Sequence, residues 1–168
     1  MCVGLRRCGR QINLGAPLFA PLCLVDADAL AVVGAQDGVL HGVSTASGAT
    51  VWRHQVGAAI TAAPGIALSE DGEHEQSTLC CLCGCNGEVV VVKLPNGQLQ
   101  GSSTVQEVAR TRLAGDVFSS PVMVRNRAYV GCRDDHLYCL ELRREQPLAT
   151  EPPTQRAPSC DEYRQNSS

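Results

Sequence analysis

The stretch from Val117 to Leu142 decides the fold: Val117-Phe118-Ser119-Ser120-Pro121-Val122-Met123-Val124, then Arg125-Asn126-Arg127, then Ala128-Tyr129-Val130-Gly131-Cys132-Arg133-Asp134-Asp135-His136-Leu137-Tyr138-Cys139-Leu140-Glu141-Leu142. It holds three short apolar runs, rich in Val, Tyr and Leu, parted by polar turn signals. Each run is too short for an ordinary helix, so the reading is a meander of three strands. The arrangement occurs twice upstream, in Pro17–Leu24, Ala29–Gly34 and Val39–Val43, and again in Ile60–Leu68, Ser77–Cys83 and Val89–Leu94. The turn pairs Asp37–Gly38, Asn86–Gly87 and Asp134–Asp135 are 49 and then 48 positions apart. A period near 48 residues with several strands per unit is the signature of propeller blades. Pro21, Pro64 and Pro121 space less evenly, which loops of variable length between first and second strands explain.

Working outward, the first unit (about 16–56) is expected to run through an inner strand Leu18–Leu24, apolar enough for burial on both sides. Strands Ala29–Gly34 and Val39–Val43 follow, then an outer strand Ala49–Trp52 after a Thr45–Gly48 turn. Pro21 cannot donate to a ladder and suits an innermost strand whose edge faces a channel. Trp52, the only tryptophan, closes a strand just after a glycine turn, and is read as filler between one blade and the next rather than as a ligand platform. The second unit (about 57–114) is expected to hold an inner strand Ala58–Leu68, a solvated loop Ser69–Gln76, strands Thr78–Cys83 and Val89–Leu94, and an outer strand at Gln98–Ser102. Val105–Leu113 is open between a connection, an irregular strand and a short helix. The third unit (115–142) lacks an outer strand. Residues 1–15 read as a leader or the remnant of a strand, and 143–168 as a polar, proline-containing disordered tail outside the core.

Composition agrees with an all-β chain. The 168 residues include 16 glycines but only 6 aromatics, as a turn-rich protein with small side chains in its layers requires. A formal charge of -3 is too small and too mixed to predict a nucleic-acid or acidic-substrate surface. Ten cysteines suggest a disulfide scaffold, but the chain is long for one. Behind Arg6, Arg7 and Arg10 no apolar run of about 7 residues follows, and no stretch reaches the roughly 18 apolar residues of a membrane span. The expectation is a cytoplasmic protein with reduced thiols.

The residues that carry chemistry elsewhere do not assemble into a site on paper. Cys80, Cys81, Cys83 and Cys85 are the densest cluster. Alternate thiols on one strand stand about 6.6 Å apart, too far for two ligands of one zinc without a bulge, so small buried hydrophobes are the better reading. Cys132 and Cys139 have no spacing that ties them to it. His41 and His136 sit at nearly equivalent places in third strands, and neither they nor His54 and His74 have a nucleophile partner at a defined spacing. Asp37, Asn86 and Asp134 recur at every turn, which argues for hairpin geometry. Ser119 and Ser120 are replaced by Ala62 and Ala63 in the second unit. No phosphate-binding glycine loop is present.

With these motifs in view, the repeat resembles the quinoprotein-type (pyrroloquinoline-quinone-like) propeller, whose Gly-then-Trp signature matches Gly48-Ala49-Thr50-Val51-Trp52. The runs Gly115–Val122 and Val130–Leu140 are similar to the final repeats of the β-alanine-activating, acyl-CoA synthetase-like enzyme family. The resemblance covers about Ala16 to Leu142. It implies an all-β, partial propeller of about three blades. It also implies a parent enzyme that activates an amino acid with ATP through adenylation and phosphopantetheine-carrier domains. Adenylation and carrier motifs are absent, and no residue matches the catalytic Asp of quinone dehydrogenases. No catalytic, cofactor-binding or metal residue and no cofactor is therefore assigned. The expected role is a non-catalytic scaffold or interaction module, partnered by the remaining blades or by the adenylation and carrier domains, with no nucleic acid or membrane. A quinone-dependent oxidoreductase and a cysteine-based metal or redox module are the alternatives. Three blades do not close a ring, so a piece of a larger ring (fragment, splice product or truncated gene) is expected, and one prone to association.

Overall fold

Short runs of Val, Leu, Cys and Tyr between Asx–Gly turns pair into antiparallel ladders, because only strand pairing satisfies the backbone of segments too short to nucleate a helix. The computed structural model describes residues 11–27, 29–69, 77–95 and 105–143, and every regular element among them is a strand. The first sheet is β1 (Cys23–Val25), β2 (Leu30–Gly34), β3 (Val39–Ser44) and β4 (Thr50–Gln55), in sequence order. The second is β5 (Gly65–Ser69), β6 (Ser77–Cys83), β7 (Glu88–Lys93) and β8 (Gln106–Arg112), again in order. The third holds β9 (Val122–Val124), β10 (Arg127–Gly131) and β11 (Leu137–Glu141). Among the described residues no helix is long and apolar enough to cross a membrane.

The sheets stack face to face on two apolar layers. Leu30, Val32, Leu40 and Trp52 of the first sheet meet Cys80, Leu82, Val90 and Val92 of the second. Leu79, Cys81, Cys83, Val89 and Val91 on the opposite face of the second meet Met123, Ala128 and Val130 of the third. The central strand β6 thus alternates its side chains between two cores, which is why it reads as an uninterrupted apolar run. Each crossover to the next sheet starts from the same bond: the Val56 amide donates to the Gly38 carbonyl (2.8 Å) and the Leu113 amide to the Gly87 carbonyl (2.9 Å). The inner strands also touch. The Cys23 thiol lies 2.8 Å from the Pro64 carbonyl, and the Ala63 amide donates to the Ser120 hydroxyl at 3.0 Å.

Several strand expectations need correction. The inner strands are shorter than the apolar runs that hold them. Leu18, Phe19, Leu22 and Leu24 are exposed and only Cys23–Val25 pairs, because Pro21 interrupts the donor row and the strand's far edge has no neighbour among the described residues. Within Ala58–Leu68, the part up to Pro64 is a crossover in which buried Ile60 bridges Gly84, and the strand starts at Gly65. The open segment Val105–Leu113 is the outer strand β8. It is poorly legible because its side chains Gln106, Glu107 and Val108 face solvent. The expected outer strand at Gln98–Ser102 falls outside the described residues, as do the leader's first ten residues, the loop beyond Ser69 and the tail beyond Arg143.

Candidate functional site

The recurring Asx residues belong to the turns. The Asp37, Asn86 and Asp134 side chains each accept from the amide two residues on, Val39, Glu88 and His136, at 3.1, 3.1 and 3.2 Å. The following position is left-handed in all three hairpins: Gly38 (φ 77), Gly87 (φ 88) and Asp135 (φ 67). A Cβ at Gly38 would run into the Gly57 carbonyl, and one at Gly87 would lie 2.5 Å from the Gly115 carbonyl. The first two turns therefore need glycine for space as well as for conformation. The Tyr138 hydroxyl donates to the Asp134 carboxylate, which holds that carboxyl below its ordinary value and raises the phenol.

The titratable groups stand apart. His41 lies within β3, is 1% exposed and has no hydrogen-bond partner at either ring nitrogen. His136 precedes β11 and its side chain is 71% exposed. Counted from the turn, His136 aligns with Val39, and Tyr138 aligns with His41, so the two histidines are not equivalent. Burial, followed by the Arg53 charge, lowers the His41 pKa. Burial pushes the Cys80 thiol up, and a hydrogen bond with Cys83, then burial, pushes Cys81 up. Both thiols are neutral and buried within the apolar layers. Cys81, Cys83 and Cys132 border one layer, Cys85 sits in the turn beyond β6, and Cys139 is exposed. All the described cysteines are free, and no three His, Cys, Asp or Glu among the described residues converge as a metal site.

What the structure offers instead is surface. Trp52 is read above as filler between blades, and it is: it is 8% exposed, lies over Gly42, and reaches the second sheet. Between the second and third sheets the same position is Ala109, opposite Val91, and a groove of about 380 Å³ opens there, bordered by Ala109, Met123, Ala128, Leu140 and Leu142. The outer face of the third sheet is also uncovered by any described element. Leu40 is 0% and Val89 3% exposed, whereas Leu137, at the matching position of the third hairpin, is 75% exposed. Val122 and Val124 are exposed on the same face. No motif marked either surface in advance; the one available signal was the loss of the Gly–Trp pair after the first unit.

Comparison with known proteins agrees with this architecture. The family model described as outer membrane protein assembly factor BamB matches residues 11–160. The β-alanine-activating enzyme of Danio rerio is 31% identical over 109 residues, which are 65% of this chain and 9% of that protein. The Homo sapiens enzyme is 33% identical over 91 residues, 54% of this chain and 7% of its own length. The chain thus spans less than a tenth of these relatives. Among solved structures, BamB from Moraxella catarrhalis superposes with a TM-score of 0.56 at 11% identity, over 78% of this chain and 33% of that one. BBS1N, solved in complex with ARL6DN, gives 0.53 at 20% identity, over 80% and 40%.

Proposed function

Because the chain belongs to the family of the outer membrane protein assembly factor BamB and shares its all-β propeller repeats, we propose that it works as a non-catalytic propeller segment, a scaffold or interaction module of an ATP-dependent amino-acid-activating enzyme of the β-alanine-activating kind. The observation that carries this reading is the repeat position held by Leu40, Val89 and Leu137. The next sheet buries it in the first two units, and nothing described covers it in the third. A sheet face that exposes Leu137, Val122 and Val124 beside the Arg127–Glu141 pair, with an internal precedent for its cover, is suited to a further sheet of the same repeat, continuing a contact made twice within the chain. The parent's adenylation and carrier domains supply the chemistry in this reading. The free thiols favour a cytoplasmic setting.

The test mixes the chain with the remainder of a β-alanine-activating enzyme, containing its adenylation, carrier and other repeat regions. Complex formation and β-alanine-dependent ATP–pyrophosphate exchange are followed. The expected result is a stable complex that Leu137→Lys weakens at least tenfold, and no exchange by the chain alone. Exchange activity in the isolated chain, or a complex indifferent to Leu137→Lys, would contradict the reading.

A further inference from the structure

The first and second sheets treat one repeat position differently, and the difference leaves a site. Both outer strands carry a bulge at the same point, opposite the Gly42–Val43 step in the first sheet and opposite the Val91–Val92 step in the second. Just before it, Gly42 faces Trp52 in the first sheet and Val91 faces Ala109 in the second. A Cβ at Gly42 would collide with the indole, so the glycine is what lets Trp52 lie flat into the gap toward the second sheet. In the next gap the bulk sits on the wrong strand: Val91 has replaced the glycine and Ala109 the tryptophan. The space that an indole closes in one gap is the groove of about 380 Å³ in the other.

The groove lies beside a strand edge that no described residue pairs. Among the described residues β11 pairs only with β10. The Leu142 amide donates to Asn126 and the His136 carbonyl accepts from Cys132, so even-numbered residues of β11 bond β10. By antiparallel alternation the amides and carbonyls of Leu137, Cys139 and Glu141 point to the open edge. The corresponding amide in the first sheet, Ser44, is bonded to the Ala49 carbonyl at 2.9 Å. The side chains of Leu140 and Leu142 turn the other way, into the layer shared with the second sheet. Charges at the rim are already matched, Arg143 with Glu141 at 2.7 Å and Arg110 with Glu88 at 3.2 Å. The edge and groove together therefore ask for backbone and apolar bulk, not for a charged ligand.

Resting on the interaction-module reading, we propose that β11 and the Ala109 groove bind an extended polypeptide segment of a partner, which adds as a fourth strand to the third sheet and places one bulky aromatic side chain over Ala109. The backbone ladder supplies affinity and the groove selects the side chain, as in other strand-addition sites. The pocket is at the small end of the roughly 300–1,000 Å³ range of ligand clefts, a fit for one such side chain. The site continues the interface already packed between the second and third sheets.

The probe is the acetylated, amidated peptide Lys-Thr-Val-Trp-Val-Thr-Lys, with an otherwise identical peptide carrying Ala in place of Trp. Binding to the full chain is read by anisotropy of a fluorophore on the peptide, and amide exchange is read at Leu137, Cys139 and Glu141. The expected result is binding at least tenfold tighter for the Trp peptide, with slowed exchange at those three amides. The double variant Val91→Gly/Ala109→Trp, which recreates the first gap, is expected to abolish that preference, and wild-type exchange keeps the test valid should that variant not fold. Equal binding of both peptides, or no slowing, would overturn the proposal. So would three amides protected before any peptide is added: release of that protection by removing residues 144–168 would identify this chain's own tail as the occupant, and release by dilution would identify a second copy. Failure here with an intact complex in the parent-enzyme experiment would leave the interaction-module reading standing.

Discussion

His41 buries an imidazole with neither nitrogen paired, on the face of β3 opposite Leu40 and across the ladder from Arg53, with Asp37 nearby. A buried polar group without a partner costs stability, and exchanging it for an apolar one of like size removes that cost. His41→Leu is expected to raise stability by about 1 kcal/mol at pH 7, measured by denaturant melts. The pH dependence has a definite sign. The folded-state pKa lies below the ordinary histidine value, so the unfolded chain binds the proton more readily. Wild-type stability is held above about pH 6.5 and falls as pH drops below it, and His41→Leu should flatten that fall. The Gly42–Trp52 pair makes a second prediction at this scale. Gly42→Ala pushes a methyl into the indole and should cost about 1–3 kcal/mol, read by the same melts. A variant as stable as wild type would mean that Trp52 does not lie over the glycine.

At the scale of the element, the hairpin between second and third strands is the unit that repeats. Its carboxamide or carboxylate turn and its left-handed next residue recur in all three sheets. The first two turns press against the following crossover, whereas Asp135 is exposed. Asp135→Gly is therefore expected to stabilise by about 0.5–1 kcal/mol through relief of the left-handed strain, and Gly38→Ala to destabilise by more than that, both in thermal melts. These hairpins were the most legible part of the sequence, since Asp37–Gly38 and Asn86–Gly87 state the turn geometry and the flanking Val and Leu state the strands. The inner strands were less legible. Their apolar letters at Leu18, Phe19 and Leu22 report a run over the surface beside Pro21, and composition alone does not separate that from a buried strand. β8 was obscured for the opposite reason, a paired strand whose side chains are mostly polar and exposed.

At the scale of the molecule, the all-β stack of three sheets follows from the repeat, and its period was readable because each unit must present one face to the unit before it and one to the unit after. The candidate surfaces were not readable in the same way. They arise from what a repeat lacks relative to its neighbours: a tryptophan at Ala109, a fourth strand beside β11 among the described residues, and a cover for Leu137. Such features show only when equivalent positions are laid over one another in space. The most direct test compares those positions in one experiment, by hydroxyl-radical footprinting of the folded chain with residue-resolved readout at Leu40, Val89 and Leu137. The account predicts oxidation of Leu137 at least tenfold faster than of Leu40 or Val89. Comparable protection at Leu137, or comparable exposure at all three, would contradict it.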